Sequence, residues 1–270
     1  MLKCGITDMN APEDDDDFSG ATSSPSVDEE VANVFTVKSF AVLFGLGLLG
    51  VVAQAFDLLI IHGETGVVLV LVLQFVLVVI GITIGLALAP KVGFTSRVVD
   101  SIAAGTPLLP AIRLDVKPAL SVGFMIGVLI FSVEILTHFG PNWTVEQLLL
   151  AVPQRILWGG IAEELITRWG LLSLIVFGLW KVGNADAIRP SDRMIWMGIL
   201  GVAVLFGMLH LPAIAGDPGI ADLAIVISVN GIAAIGFGWL FWRHSLEAAM
   251  IAHAFAHVVF ISIWLGVLLV

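Results

Sequence analysis

Residues 156–180 read ILWGGIAEELITRWGLLSLIVFGLW, a run in which only Glu163, Glu164 and Arg168 carry charge. At 1.5 Å per residue, a helix of that length spans about 37 Å, enough to cross a hydrocarbon core of about 30 Å. Each ionised side chain at the centre of such a helix costs roughly 2.5 to 3.5 kcal/mol on insertion, so the three charges require partners or a water-filled cavity. The stretch marks a membrane-spanning chain, and its charges are the first candidates for function.

The rest of the sequence agrees. Of 270 residues, 59% are hydrophobic and 13% charged, with a mean hydropathy of +1.05, well outside the composition of soluble domains. Predominantly apolar runs of about 18 residues or more fall near residues 39–61, 66–89, 119–139, 156–180, 194–211, 220–242 and 246–270. The expected fold is all-α, a polytopic membrane helix bundle of about seven (seven to eight) transmembrane helices within residues 37–270. The Leu, Val, Ala and Ile runs show no period of two, which excludes a membrane β-barrel. Neither a soluble domain nor an internal repeat is evident.

The net charge of −10 is concentrated at one end, since residues 1–36 hold nine Asp or Glu against Lys3 alone, including the run Asp14 to Asp17. Such a segment buries too little apolar surface to offset its ordering entropy, so residues 1–36 read as an acidic disordered N-terminal tail. It lacks the basic and apolar regions of a signal peptide, and no cleavage is expected. The single cysteine, Cys4, lies in this tail and excludes an internal disulfide or a cysteine metal cluster.

Lys and Arg near span ends collect on the cytoplasmic side. Lys38 precedes the first span; Lys91, Arg97, Arg113 and Lys117 separate spans two and three; Lys181, Arg189 and Arg193 separate spans four and five; Arg243 closes span six. The alternate connections, around residues 62–65, 140–149 and 212–219, hold no Lys or Arg. A multi-pass protein of the cell membrane with a cytoplasmic N-terminus satisfies every connection, and only Arg155 and Arg168 fall outside the pattern. Residues 141–157, interrupted by Pro153, are moderately amphipathic and are expected along the interface. Residues 91–118, with Pro107, Pro110 and Pro118, read as a cytoplasmic loop.

Helical neighbours at i and i+4 share a face, whereas i and i+1 diverge by about 100°. Glu164 and Arg168 are therefore expected as an ion pair, while Glu163 points elsewhere, desolvated, unpaired and suited to taking a proton from water. Phe206 and His210 are four apart near the end of the fifth span, and His253 and His257 are four apart on one face of the seventh. Imidazoles hold water, polarise carbonyls or bind metals near neutral pH. A lone buried histidine is more often a satisfied core residue; two on one face, with a third on another helix beside an intramembrane Glu pair, point to a site. His62, His138 and His244 sit at span ends and read as solvated or interfacial. Asp57 and Glu134 suit a packing or cavity role, or exposure at a span boundary. Asn230 is expected to make an interhelical hydrogen bond, Gly231, Gly236 and Gly238 to allow close helix approach, and Trp239, Trp242 and Trp264 to pack or anchor.

Taken in order, these residues resemble the CPBP group of intramembrane proteases, which includes the CAAX prenyl endopeptidases and the bacterial Abi proteins. Glu163, Glu164 and Arg168 match its first motif, two glutamates then three residues then arginine; Phe206 and His210 match its Phe-x-x-x-His; His253 and His257 fall on its third. The segment GFGWLFWRHSLEAAMIAHAFAH also looks like the stretch leading into that third motif. The resemblance covers about residues 150–260. His257 stands where asparagine is usual, and a neutral imidazole donates through one ring nitrogen only, so oxyanion stabilisation is expected to depend on pH. With 13 residues after His257, a final eighth helix, common in the family, is expected to be missing.

What the resemblance implies is hydrolysis of a peptide bond, inside the bilayer, in a membrane-associated protein or peptide, the prenylated CAAX type included. Glu163 is expected to activate water, His210 to hold it, and His253 with His257 to stabilise the oxyanion. Glu164 with Arg168 would fix the helix and the field around Glu163, and Phe206 would shape the cavity. Glu163, His210 and His253 also suit zinc, since a catalytic site leaves one position for water. With no HExxH motif the expectation is that no cofactor is required. The partners implied are the substrate and the lipid bilayer, with no nucleic acid. Two other classes stand beside this reading. A catalytically silent scaffold or chaperone is opposed by the intact Glu163 and His210; a proton-coupled transporter predicts inverted repeats or paired broken helices that the sequence lacks. One difficulty is depth: Glu163 and His210 fall towards the outer half, His253 within about 10 Å of the inner edge.

Overall fold

The computed structural model describes residues 27–61, 66–137, 144–213 and 218–270. Residues 1–26 of the acidic tail, together with His62 and His138, lie outside the described residues. Among the described residues all regular structure is helical, and seven helices are long and apolar enough to cross a membrane. The chain is a multi-pass membrane protein with the expected all-α bundle.

In chain order the elements are α1 (Val27–Phe56), running into a π-helical turn at Asp57–Ile61, α2 (Val68–Val92), α3 (Arg97–Ala104), α4 (Leu108–Thr137) and α5 (Val145–Leu150). The fourth span, Gln154–Gly183, follows. It is π-helical over Gln154–Ala162 and Leu165–Leu172 and ends as α6 (Ser173–Gly183). Then come α7 (Asp192–Leu209), α8 (Ile220–Arg243) and α9 (Leu246–Leu268).

Several boundaries differ from the sequence reading, for local reasons. Helix α1 begins at Val27, so residues 27–36, assigned above to the tail, are helical. The loop expected over 91–118 is interrupted by α3 and ends at residue 107, because α4 starts at Leu108. Pro110 sits in that first turn, where a backbone N–H has no helical partner to lose, and Pro118 breaks one bond further in. Helix α5, closed by a Thr144–Gln147 capping box, is seated on α9 through Leu148, which packs on Phe260 and Ile261. Asn230 Nδ2 donates to the Val226 carbonyl of its own helix at 2.9 Å, an i−4 back-bond rather than the expected interhelical one.

The fourth span is the centre of the bundle. Half of its most apolar window is buried, against 22 to 39% for the other six. Helices α1 and α9 pack on its first π segment, α2, α7 and α8 on its second. Small residues let membrane helices touch through their backbones: a Cβ on Gly170 would stand 2.6 Å from Gly81 Cα, and one on Gly123 of α4 would stand 2.5 Å from the Ala252 carbonyl of α9.

A buried polar joint fixes the start of α9. Glu247 accepts Ser96 Oγ at 2.6 Å and the backbone N–H groups of Arg97 and Val98 at 2.7 and 3.0 Å. Its carboxylate therefore sits on the amino-terminal end of α3, where unpaired N–H groups and the dipole favour an anion. Asp115 of α4, with no exposed surface, accepts Arg97 Nε at 2.9 Å, Arg97 Nη2 at 3.2 Å and Ser245 Oγ at 2.5 Å. The helix carrying His253 and His257 is thus tied to α3 and α4 two turns before the first histidine.

Candidate active site

The expected ion pair forms inside the bundle. Arg168 Nη1 donates to Glu164 Oε1 at 2.9 Å, and neither side chain has exposed surface. The guanidinium also donates to Thr167 Oγ1 at 2.8 Å and to the Ala234 carbonyl of α8 at 3.2 Å, and it stands 4.9 Å from the Phe206 ring centre and 5.4 Å from that of Phe237. These contacts partner both Nη groups of the buried cation, while its Nε has no hydrogen-bond partner among the described residues.

Glu164 Oε1 has a second partner, His253 Nδ1 at 2.7 Å. The His253 ring is fixed on both faces, stacked on Phe237 at 4.5 Å and on His257 at 5.1 Å. The shared face expected for the two histidines therefore exists, and it lies against the fourth span: a Cβ on Gly159 would be 2.9 Å from His257 Nε2 and 3.7 Å from His253 Nε2. Glycine lets the His257 edge close onto the helix here.

His210 follows the last residue of α7, with its ring 4.5 Å from that of Phe206. Its Nδ1 lies 2.8 Å from the Phe206 carbonyl oxygen. A carbonyl only accepts, so Nδ1 carries the proton and Nε2 presents its lone pair. Phe206 links this histidine to the others, since its ring also meets His253 edge-on at 6.1 Å.

Glu163 stands apart from this network, as its helical phase requires. The Trp158 side chain hydrogen-bonds it, and its backbone N–H donates to the Trp158 carbonyl five residues back, the bond of a π turn. Such turns recur at functional sites. Glu163 keeps some accessible surface, whereas Glu164 has none.

The depth mismatch is absent, because Glu164 and His253 are in contact. Trp158, Gly159 and Phe237 are residues of the site that the sequence reading passed over. The five-residue spacing of Trp158 and Glu163 is one that no α-helix brings into line. Asp57 and Glu134 lie within electrostatic range of Arg155. Among the described residues no three His, Cys, Asp or Glu side chains form a group that would hold a metal ion, so in this arrangement Glu163, His210 and His253 do not fit the zinc set.

Residues 141–259 match the family model of type II CAAX prenyl endopeptidase Rce1-like proteins. The match likens that segment to the CAAX protease domain. All three motifs lie within it, as does α5. No curated protein and no solved structure matches the chain.

Proposed function

We propose that the protein hydrolyses a peptide bond of a membrane-associated protein or peptide of the CAAX type, with Glu163 as general base. The observation that carries this reading is Glu164 Oε1, which receives Arg168 Nη1 at 2.9 Å and His253 Nδ1 at 2.7 Å. One oxygen joins the first motif to the third and leaves the neighbouring carboxylate outside the network, with accessible surface.

Glu163 and His210 Nε2 both accept, so a water between them donates one hydrogen to each and turns its lone pair to the scissile carbonyl carbon. Glu163 takes the proton as the C–O bond forms, and returns it to the leaving nitrogen as the C–N bond breaks. Arg168 is permanently charged and shares an oxygen with His253, which favours an ionised Glu164 and a proton on His253 Nδ1. Its Nε2 then carries a lone pair, so the twin-donor role expected for His253 and His257 divides. His257 donates to the oxyanion, and His253, held by Glu164, orients it through the ring stack.

The distribution of basic residues supports a cytoplasmic N-terminus in the cell membrane. The test is cleavage, by the full chain in liposomes, of a peptide ending in a prenylated CAAX sequence and of its unprenylated twin. The wild type cleaves the prenylated peptide, with or without a metal chelator, and Glu163→Gln loses about 10²- to 10⁴-fold in kcat, the usual contribution of a general base. Equal cleavage by Glu163→Gln overturns the assignment.

A further inference from the structure

A hydrolase working in the hydrocarbon core needs a route for water, which that core does not hold. Beyond the catalytic imidazoles, at the end of the bundle opposite α3, a second group of polar side chains lies within spanning helices. Arg155, in the first π segment, lies within electrostatic range of Asp57, Glu134 and His257. Its guanidinium is 5.4 Å from the ring centre of Phe260, three residues beyond His257 on α9. Gln154 Nε2 donates to Gln54 Oε1 at 2.9 Å, joining the fourth span to α1 at the same level. Glu134 accepts the Trp264 indole N–H at 3.0 Å.

These groups form an ordered series. Asp57 opens the π turn that follows α1 and Glu134 lies one turn from the end of α4; Arg155 comes next, and Gly159, against which His257 rests, is one turn further in. Each ionised group would cost roughly 2.5 to 3.5 kcal/mol against lipid, so such residues face a bundle interior or a hydrated cavity. Asp57, Glu134, Gln154 and Arg155 all keep partial accessibility.

We propose that Asp57, Glu134, Arg155, Gln154 and Gln54 line a hydrated inlet that brings the hydrolytic water from that end of the bundle to His257 and Glu163. The proposal rests on the hydrolase reading above. With the N-terminus in the cytoplasm, the inlet opens to the outside.

Cys4 is the single cysteine, so Cys4→Ser gives a background in which Gln54→Cys or Gln154→Cys reports alone. In liposomes of the full chain, a membrane-impermeant methanethiosulfonate added at the face opposite the N-terminus is expected to modify both cysteines fully, and not Leu73→Cys on the exposed apolar face of α2. Gln54 is only 8% exposed, so its modification requires a water path rather than surface position. Reaction with a lipid-soluble maleimide alone, or only after unfolding, makes the group a dry ion cluster and overturns the proposal. Plugging the inlet with Gln154→Leu lowers kcat with KM unchanged, and Gln154→Ser restores it; an unchanged kcat in the Leu variant also overturns the inlet. Labelling needs no turnover. A protein that labels but cleaves nothing refutes the hydrolase reading alone, and one that cleaves but does not label refutes the inlet alone.

Discussion

Arg168→Met is the sharpest probe of the site, because it separates what the ion pair does for stability from what it does for chemistry. The substitution removes the 2.9 Å donor to Glu164 and leaves a fully buried carboxylate with His253 as its one remaining donor. Breaking a buried pair from one side costs about 3 to 5 kcal/mol, and the two cation–π contacts at 4.9 and 5.4 Å add about 0.5 to 1 kcal/mol each. Taking the pair alone, the folding equilibrium shifts by roughly two to three and a half orders of magnitude. The double variant Glu164→Leu/Arg168→Met removes the uncompensated charge, and apolar replacement of a buried pair is often neutral, so it recovers about 2 kcal/mol or more of the loss. Activity does not return, since His253 Nδ1 then has no carboxylate to hold it. Reversible unfolding in mixed micelles reads the stabilities, and peptide cleavage reads the chemistry. An Arg168→Met variant within about 1 kcal/mol of wild type, or an active double variant, would refute the reasoning.

The oxyanion assignment predicts that His257→Ala lowers kcat by about 10² to 10³, the cost of one donor, while His257→Asn retains most of the activity through its amide; single-turnover kinetics checks both. Glu247→Ala strips three hydrogen bonds from the joint between α3 and α9 and leaves two backbone N–H groups facing apolar surface, so thermal unfolding should show a loss of about 3 kcal/mol or more, with Glu247→Gln milder. Burial, and next the Glu247 carboxylate, raise the pKa of Asp100 above the ordinary carboxylate range. An acid whose pKa is higher folded than unfolded contributes stability below its unfolded value and loses it as pH climbs through the folded one. Asp100→Asn therefore raises Tm at neutral pH and leaves it unchanged in acid below the carboxylate range, as a pair of melting curves will show.

The spans were legible because length and apolarity alone decide them, and Glu164 with Arg168 was legible because an i, i+4 spacing survives even where π winding begins. The His253–His257 face followed from the same rule. What the sequence concealed has one physical root, which is that polar residues near span ends look solvated until tertiary contacts bury them. Asp115 and Glu247 carry no local sign that they will meet Arg97, Ser96 and the end of α3. Pro110 and Pro118 signalled a loop, but a proline in a first turn loses nothing and a second within a long membrane helix is tolerated. The π segments left no compositional trace, since i→i+5 bonding has no preferred residue pattern. Trp158 was therefore invisible as a partner of Glu163.

That winding also governs which sequence changes this span will accept. A π turn holds an extra residue within its rise, and losing one lets the segment rewind as an ordinary helix with everything downstream swung by about 100°. Because the two glutamates are adjacent, such a slip would swap them, bringing one into the other's place and carrying Arg168 and Trp169 off their partners. Exchanges among Leu, Ile and Val between Pro153 and Ser173 should be absorbed easily, whereas a deletion or insertion of a single residue there should abolish function while leaving hydropathy unaltered.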